Sequence, residues 1–323
     1  MRKEEVFLFS DIGNIKTKNF FVISDSIADL SSVSRKNICD YSGISYNTVA
    51  KAVESLLDIG LICEKLSGKT YEYSLSRKHC FIIFDLSDKG FAFTVCTLKG
   101  EKIDRLIYRP NDSYFYDENL SFFMKDMSRH TKNRYKNLTF IGGAVILPDN
   151  VEECCGTKNI LKDWRRLSHL VRSYFDIHCV LCDTASQMAA YYPSVSPSLT
   201  IRNHGNEISC FITGVGEIHP STLKSERASI LKSTGESASS LARSIAYAVG
   251  NTCRLLYPKK IYLDGEGVFL LPSFAREFIT ALGEFTCLPE SLLPEIVCTN
   301  GTMALLGAAT ELRHRYIELR LNT

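Results

Sequence analysis

Between residues 79 and 301 the chain runs through the same order of elements twice, and few architectures accept such an order. In the first pass, the β-rich runs C-F-I-I-F-D-L (80–86) and G-F-A-F-T-V-C-T-L (90–98) flank Ser87-Asp88-Lys89, and K-I-D-R-L-I-Y follows at 102–108. A helix is then predicted over 117–130 and a buried strand over 138–147 (L-T-F-I-G-G-A-V-I-L). Next come a helix over 161–175 with Trp164, Leu167, Leu170, Val171 and Tyr174 inward, a strand I-H-C-V-L-C-D (177–183), and a short helix stopping at Pro193. The second pass has strands at 198–202, 207–213 and 214–218, a long helix over 237–256 and a strand at 260–263. A helix over 272–282 and a last helix starting near Asn300-Gly301 complete it. Three strands followed by alternating helix and strand, run twice, predict a two-lobed α/β protein with a cleft between the lobes.

Ahead of this repeat, residues 34–60 (S-R-K-N-I-C-D-Y-S-G-I-S-Y-N-T-V-A-K-A-V-E-S-L-L-D-I-G) read as two short helices around a glycine turn. Gly43 can take the left-handed conformation that ends the first. Ser45 offers a hydroxyl to cap the second, whose apolar side is Val49, Ala52, Val53, Leu56 and Leu57. Residues 61–75 then give two strand-like runs around Ser67-Gly68-Lys69, a hairpin. Helix, turn, helix and hairpin make a winged helix-turn-helix, whose second helix presents its first residues to the major groove. Tyr46, Asn47, Thr48 and Lys51 occupy that position, with Arg35, Lys36, Lys65 and Lys69 placed to touch phosphates.

Charge does not support this reading by itself. The net charge is +2, and residues 1–77 carry ten Lys/Arg against ten Asp/Glu, so DNA binding requires cations gathered on one face. The first residues, M-R-K-E-E-V-F-L-F-S-D, put acids before a very short apolar run and do not resemble a signal peptide; no stretch is long and apolar enough for a membrane span. The twelve cysteines are scattered, which fits free thiols in a reducing cytoplasm.

Together, the residues resemble the regulator branch of the ROK family (repressors, open reading frames and kinases). The resemblance covers nearly the whole chain. It is carried by I-G-G-A-V-I-L-P-D (141–149), by Trp164 through C-V-L-C-D-T-A (179–185), and by M-A-L-L-G-A-A (303–309), in which Gly307, Ala308 and Ala309 would let the last helix approach its neighbours. It implies an α/β chain: a winged helix-turn-helix (1–77), then a sugar-kinase-like domain of the actin-like ATPase fold. Its first lobe would be 78–190 with 300–323, and its second 191–299. It also implies a homodimer or tetramer on double-stranded DNA, and a sugar or sugar-derived effector near Asp183, Cys182 and Gly143.

Departures from the family pattern set the chemistry. A kinase's first phosphate loop is D-x-G-G-T, but here the turn is Asp85-Leu86-Ser87-Asp88-Lys89-Gly90. The second, G-x-G-x-G, would fall at Asn203-His204-Gly205-Asn206-Glu207. Asp88 and Glu207 add negative charge where phosphate oxygens would lie, so phosphotransfer loses its electrostatic support. Asp183 matches the family's general base, with Cys182 where the family has a sugar-binding Asn; the alternative is that Asp183 caps the helix starting at Thr184. The family's zinc cluster is also missing: 214–239 holds no cysteine, Gly216-Glu217-Ile218-His219 echoes only its first part, and Cys179, Cys182 and the adjacent Cys154-Cys155 read as core thiols. The expectation is a cytoplasmic regulator of carbohydrate-related genes with no catalytic residues, metal or cofactor. The alternatives are a sugar kinase with unusual loops, using Asp183 as base and Asp85 near magnesium, and an assembly or sensor protein without a small ligand.

Overall fold

The structure is a computed structural model that describes residues 15–86, 91–108, 117–147, 164–177, 179–192, 198–204, 207–212, 216–218, 238–265 and 267–321. Residues 87–90 and 205–206 of the two loops, 219–237 of the zinc interval, Cys154-Cys155 and His178 lie outside the described residues. The chain divides into two units, residues 1–183 with 308–323, and residues 184–307.

The first unit opens with α1 (Ile15–Leu30), α2 (Arg35–Ser42), α3 (Tyr46–Asp58) and a hairpin of β1 (Ile62–Ser67) and β2 (Thr70–Leu75). The helix-turn-helix follows its local chemistry. Ser34 caps α2 by accepting from the Asn37 amide, and Gly43 closes it at φ 70°, a left-handed value that glycine adopts without strain. Val49, Ala52, Val53 and Leu56 form the buried side of α3. In the wing, Ser67 pairs with Thr70 across Gly68-Lys69, with Gly68 at φ 64°. One expectation fails. Ser45 stands at the N-cap, but its hydroxyl meets the Thr48 hydroxyl at 2.9 Å, so no side chain caps the first amides of α3. The unanticipated α1 packs on α2, α3 and β2.

Behind this head lie β3 (His79–Asp85), β4 (Phe91–Thr97), β5 (Lys102–Tyr108), β6 (Thr139–Leu147) and β7 (Val180–Thr184), in the sheet order β5-β4-β3-β6-β7. β5, β4 and β3 are antiparallel neighbours, and β3 and β6 run parallel. The helices α4 (Asp117–Arg134) and α5 (Trp164–Phe175) join the sheet in one apolar cluster, where Phe84 meets Phe93, Phe123 and Phe175 at ring distances of 5.2, 6.1 and 5.4 Å.

The second unit repeats the plan. Here α6 (Ala185–Ala190) is followed by β8 (Ser198–His204), β9 (Glu207–Ile212), β10 (Gly216–Ile218), α7 (Ala238–Leu256), β11 (Lys260–Asp264), α8 (Pro272–Thr286) and β12 (Glu295–Cys298). The order β10-β9-β8-β11-β12 is again third, second, first, fourth, fifth, with the same directions. The last helix, α9 (Met303–Leu321), has its first turn in this unit and the rest in the first unit. Gly307 lies so close to α6 that a Cβ there would run into the Met188 carbonyl, and Ala308 and Ala309 are fully buried. The small residues of M-A-L-L-G-A-A do bring this helix against its neighbours. Among the described residues no helix is long and apolar enough to cross a membrane.

Candidate functional site

The face that the sequence assigns to DNA is built on the start of α3. Tyr46 is 57 % exposed, Asn47 and Lys51 are exposed, and Thr48 is half-buried against Ser45. Lys36 on α2 and Lys69 at the tip of the wing are exposed, and like Lys51 they have no acidic partner within 4 Å among the described residues. Lys65 is exposed too but lies opposite Glu72 in the hairpin register. That neighbour and hydrogen bonds to the Glu72 carboxylate, chiefly from Ser32, keep it below the usual carboxylate range.

Arg35 does not stand with these cations. Its Cζ lies 5.6 Å from the centre of the Tyr73 ring, Nη2 is 3.8 Å from Glu54 Oε1, and Nε is buried. Burial opposes its charge, but the oxygens of Tyr73 and Tyr46 outweigh that and hold its pKa above the ordinary guanidinium value. A side chain engaged on three elements has little of its fork left for a phosphate. What the sequence presents as a surface cation is an internal strut, because its partners Tyr73 and Glu54 are remote in sequence.

The head is tied to the rest of the first unit by groups that sequence reasoning missed. Asp25 of α1 is buried and accepts from Arg313 Nη2 at 2.6 Å and from His314 Nε2 at 2.9 Å, both on α9. Arg313 Nη1 also donates to the Leu98 carbonyl at 2.7 Å, and Phe21 stacks on His314 at 4.3 Å. Nearby, the Tyr316 hydroxyl donates to the Ile59 carbonyl at 3.2 Å, and Lys99 Nζ reaches Ser31 at 3.3 Å. The only local signal was Ser24-Asp25-Ser26, a polar run fully inside an apolar helix.

In the sheet of the first unit, Asp183 is half-buried near the carboxyl end of β7, a place where open α/β sheets collect ligands. It does not cap α6: that role falls to Thr184, which accepts from the Gln187 amide at 3.2 Å. Cys182 is half-buried; burial, and next the charge of Asp183, push its thiol up to about 12, so it stays protonated. Gly143 is one strand away on β6, donating its amide to the Cys179 carbonyl at 2.8 Å. A Cβ at Gly143 would sit 2.7 Å from Ile177 and 3.1 Å from Ile82, so the neighbours it faces are apolar core.

In the second unit the order of strands reverses between β8 and β11, the position where such a sheet offers a crevice. Here Asp264, fully buried, accepts from Thr299 at 2.7 Å and from the Met303 amide of α9 at 3.2 Å. Arg202 Nε lies 3.5 Å from its other oxygen. Gly265, at φ 147°, has the Asn203 carbonyl 2.6 Å from where a Cβ would stand. The strand ends are closed by the protein's own groups.

No protein-family model and no curated protein matches the chain. Among solved structures it superposes on a ROK family transcriptional regulator, a homologue of the E. coli MLC protein, with a TM-score of 0.60 at 15% identity, covering 95% of this chain and 98% of that one. The chain has the fold of a ROK regulator. A winged helix-turn-helix precedes two actin-like lobes. A ROK family protein from Streptococcus pneumoniae in complex with sucrose is similar over 73% of this chain and 98% of its own, at 16% identity and a TM-score of 0.49. For a ROK hexokinase from Thermus thermophilus the values are 72%, 97%, 12% and 0.48.

Proposed function

We propose that the protein is a DNA-binding transcriptional regulator of the ROK type that controls carbohydrate-related genes and whose kinase-like lobes no longer transfer phosphate. One observation carries the reading: a complete winged helix-turn-helix, its reading helix exposed at Tyr46, Asn47 and Lys51, leads a chain with a regulator's fold along 95% of its length. Fold alone does not assign function, so the site must support it. On the DNA side, Lys36, Lys51 and Lys69 are the exposed cations, and α3 opens with uncapped amides, a favourable place for a phosphate. On the enzyme side, Asp88 and Glu207 stand in place of loop glycines, and the Arg202–Asp264 pair fills the strand ends of the second unit. That arrangement leaves a nucleotide poorly served.

Functionally we divide the chain into a head (1–77), a first lobe (78–190 with 300–323) and a second lobe (191–299). Asp183 and Cys182 are the groups offered to a sugar-like effector, with Gly143 supporting their strand. A dimer would place two heads on a pseudo-palindrome, and an effector favouring one arrangement of the lobes would change operator affinity. A gel shift with DNA flanking the protein's own gene tests the proposal. Retarded bands that compete with the same sequence and not with random DNA support it; a folded, dimeric sample that binds nothing at low salt refutes it.

A further inference from the structure

We propose that Arg35 is a positioning residue for base reading: it orients the Tyr46 hydroxyl so that its proton meets an acceptor on the major-groove edge of one base pair in each half-site. The inference rests on the DNA-binding reading above. Arg35 opens α2, yet its guanidinium is held between elements, 28 % exposed, over the Tyr73 ring of β2, 3.8 Å from Glu54 of α3 and beside the hydroxyls of Tyr73 and Tyr46. Tyr46 is the first residue of α3, and its ring is 57 % exposed. A recognition helix meets base edges at that end. One end of this pair is therefore anchored in the head and the other faces outward.

The chemistry of the two groups fixes the polarity of the contact. A guanidinium has five donors and no acceptor, whereas a phenol has one proton and an oxygen that accepts. Beside Arg35, the Tyr46 oxygen acts as the acceptor, so its proton is left for a partner outside the head. That outward donor fits guanine O6 or N7, adenine N7 or thymine O4. It is mismatched with cytosine, which presents an amino donor in the major groove. A lysine at position 35 could keep the charge but not the planar fork that reaches Tyr73, Glu54 and Tyr46 together.

Sequence selection from a randomised duplex pool by the full chain, paired with salt titrations and melting of each variant, tests this. Wild type should exclude cytosine at one position of each half-site. Tyr46→Phe should lose about tenfold discrimination there, the worth of one hydrogen bond, with an unchanged melting temperature and salt slope. Arg35→Gln should relax the same position, Arg35→Lys should not restore it, and Tyr46→Phe combined with Arg35→Gln should be no more relaxed than either alone. If Arg35 instead contacts phosphate, Arg35→Gln lowers the salt slope by about 1 per head and leaves base preference intact, which overturns the inference. Should Arg35→Gln fail to fold, an unchanged preference in Tyr46→Phe overturns it equally. Failure of wild type to bind any duplex defeats the regulator reading itself.

Discussion

Replacing Asp25 by Asn removes one charge from the joint between the head and the last helix while keeping its shape. The Asp25 and Arg313 side chains are 4 % and 2 % exposed, so water cannot replace what is lost. Deleting one partner of a buried ion pair costs about 3–5 kcal/mol, because the other charge is left uncompensated. Here Arg313 keeps its bond to the Leu98 carbonyl at 2.7 Å, and the new amide still offers an oxygen, which points to the lower end, about 3 kcal/mol. At roughly 2–4 °C per kcal/mol for a unit of this size, the melting temperature should fall by about 6–12 °C. Differential scanning fluorimetry reads this directly, and a cycle with Arg313→Met separates the pair from its surroundings. With both charges gone, the Asp25→Asn, Arg313→Met double variant should be less damaged than the sum of the singles. A shift under about 2 °C for Asp25→Asn, or strict additivity in the cycle, would refute the claim that this pair holds the head.

Gly307→Ala should destabilise the protein by about 1–3 kcal/mol, measured by urea unfolding, because its Cβ meets a backbone carbonyl that cannot swing aside; a neutral result would mean that α9 and α6 are not in close contact. His79, beside Gly60 where the head meets β3, has its pKa lowered, first by burial and further by the charges of Arg320 and Lys78. A lowered folded-state pKa means that the unfolded chain takes up the proton first. The contribution of His79 is therefore full above about pH 6.5 and is lost as the pH falls toward the folded pKa. Urea midpoints followed from pH 7.5 to 5 should show less decline for His79→Gln than for wild type, and parallel curves would exclude the effect. Finally, a panel of hexoses and amino sugars with Mg-ATP should give no turnover above background. Turnover abolished by Asp183→Asn would establish the sugar-kinase alternative.

How far the sequence could be read depended on whether the deciding chemistry was local. The turn at Gly43, the buried side of α3 and the Gly68-Lys69 hairpin are set by a few neighbouring residues, and each is where spacing places it. The doubled order of strands was legible for the same reason, except β12, which at four residues with no fully buried position gives almost no pattern. α1 escaped notice because its interior holds Ser24, Asp25 and Ser26, acceptable there because Arg313 and His314 arrive from the far end of the chain. Arg35 was misjudged likewise: as a sequence it is a basic residue before a lysine, and only the fold brings Tyr73 and Glu54 to it. Around Asp183 the difficulty was one of single positions. Asp and Thr both cap helices, and only the backbone reveals that Thr184 accepts from Gln187.

The central claim is that this balanced, nearly uncharged head reads DNA through a small localised face. Fluorescence anisotropy with an operator fragment from the protein's own upstream region, across a range of salt concentrations, tests it most directly. Counting Lys36, Lys51 and Lys69 on each of two heads gives about six phosphate contacts and a slope of log K against log salt near −5. Sequence-specific binding with that slope is the predicted result. No binding by the folded dimer at low salt, or binding with a slope near −10 that is indifferent to sequence, would contradict it.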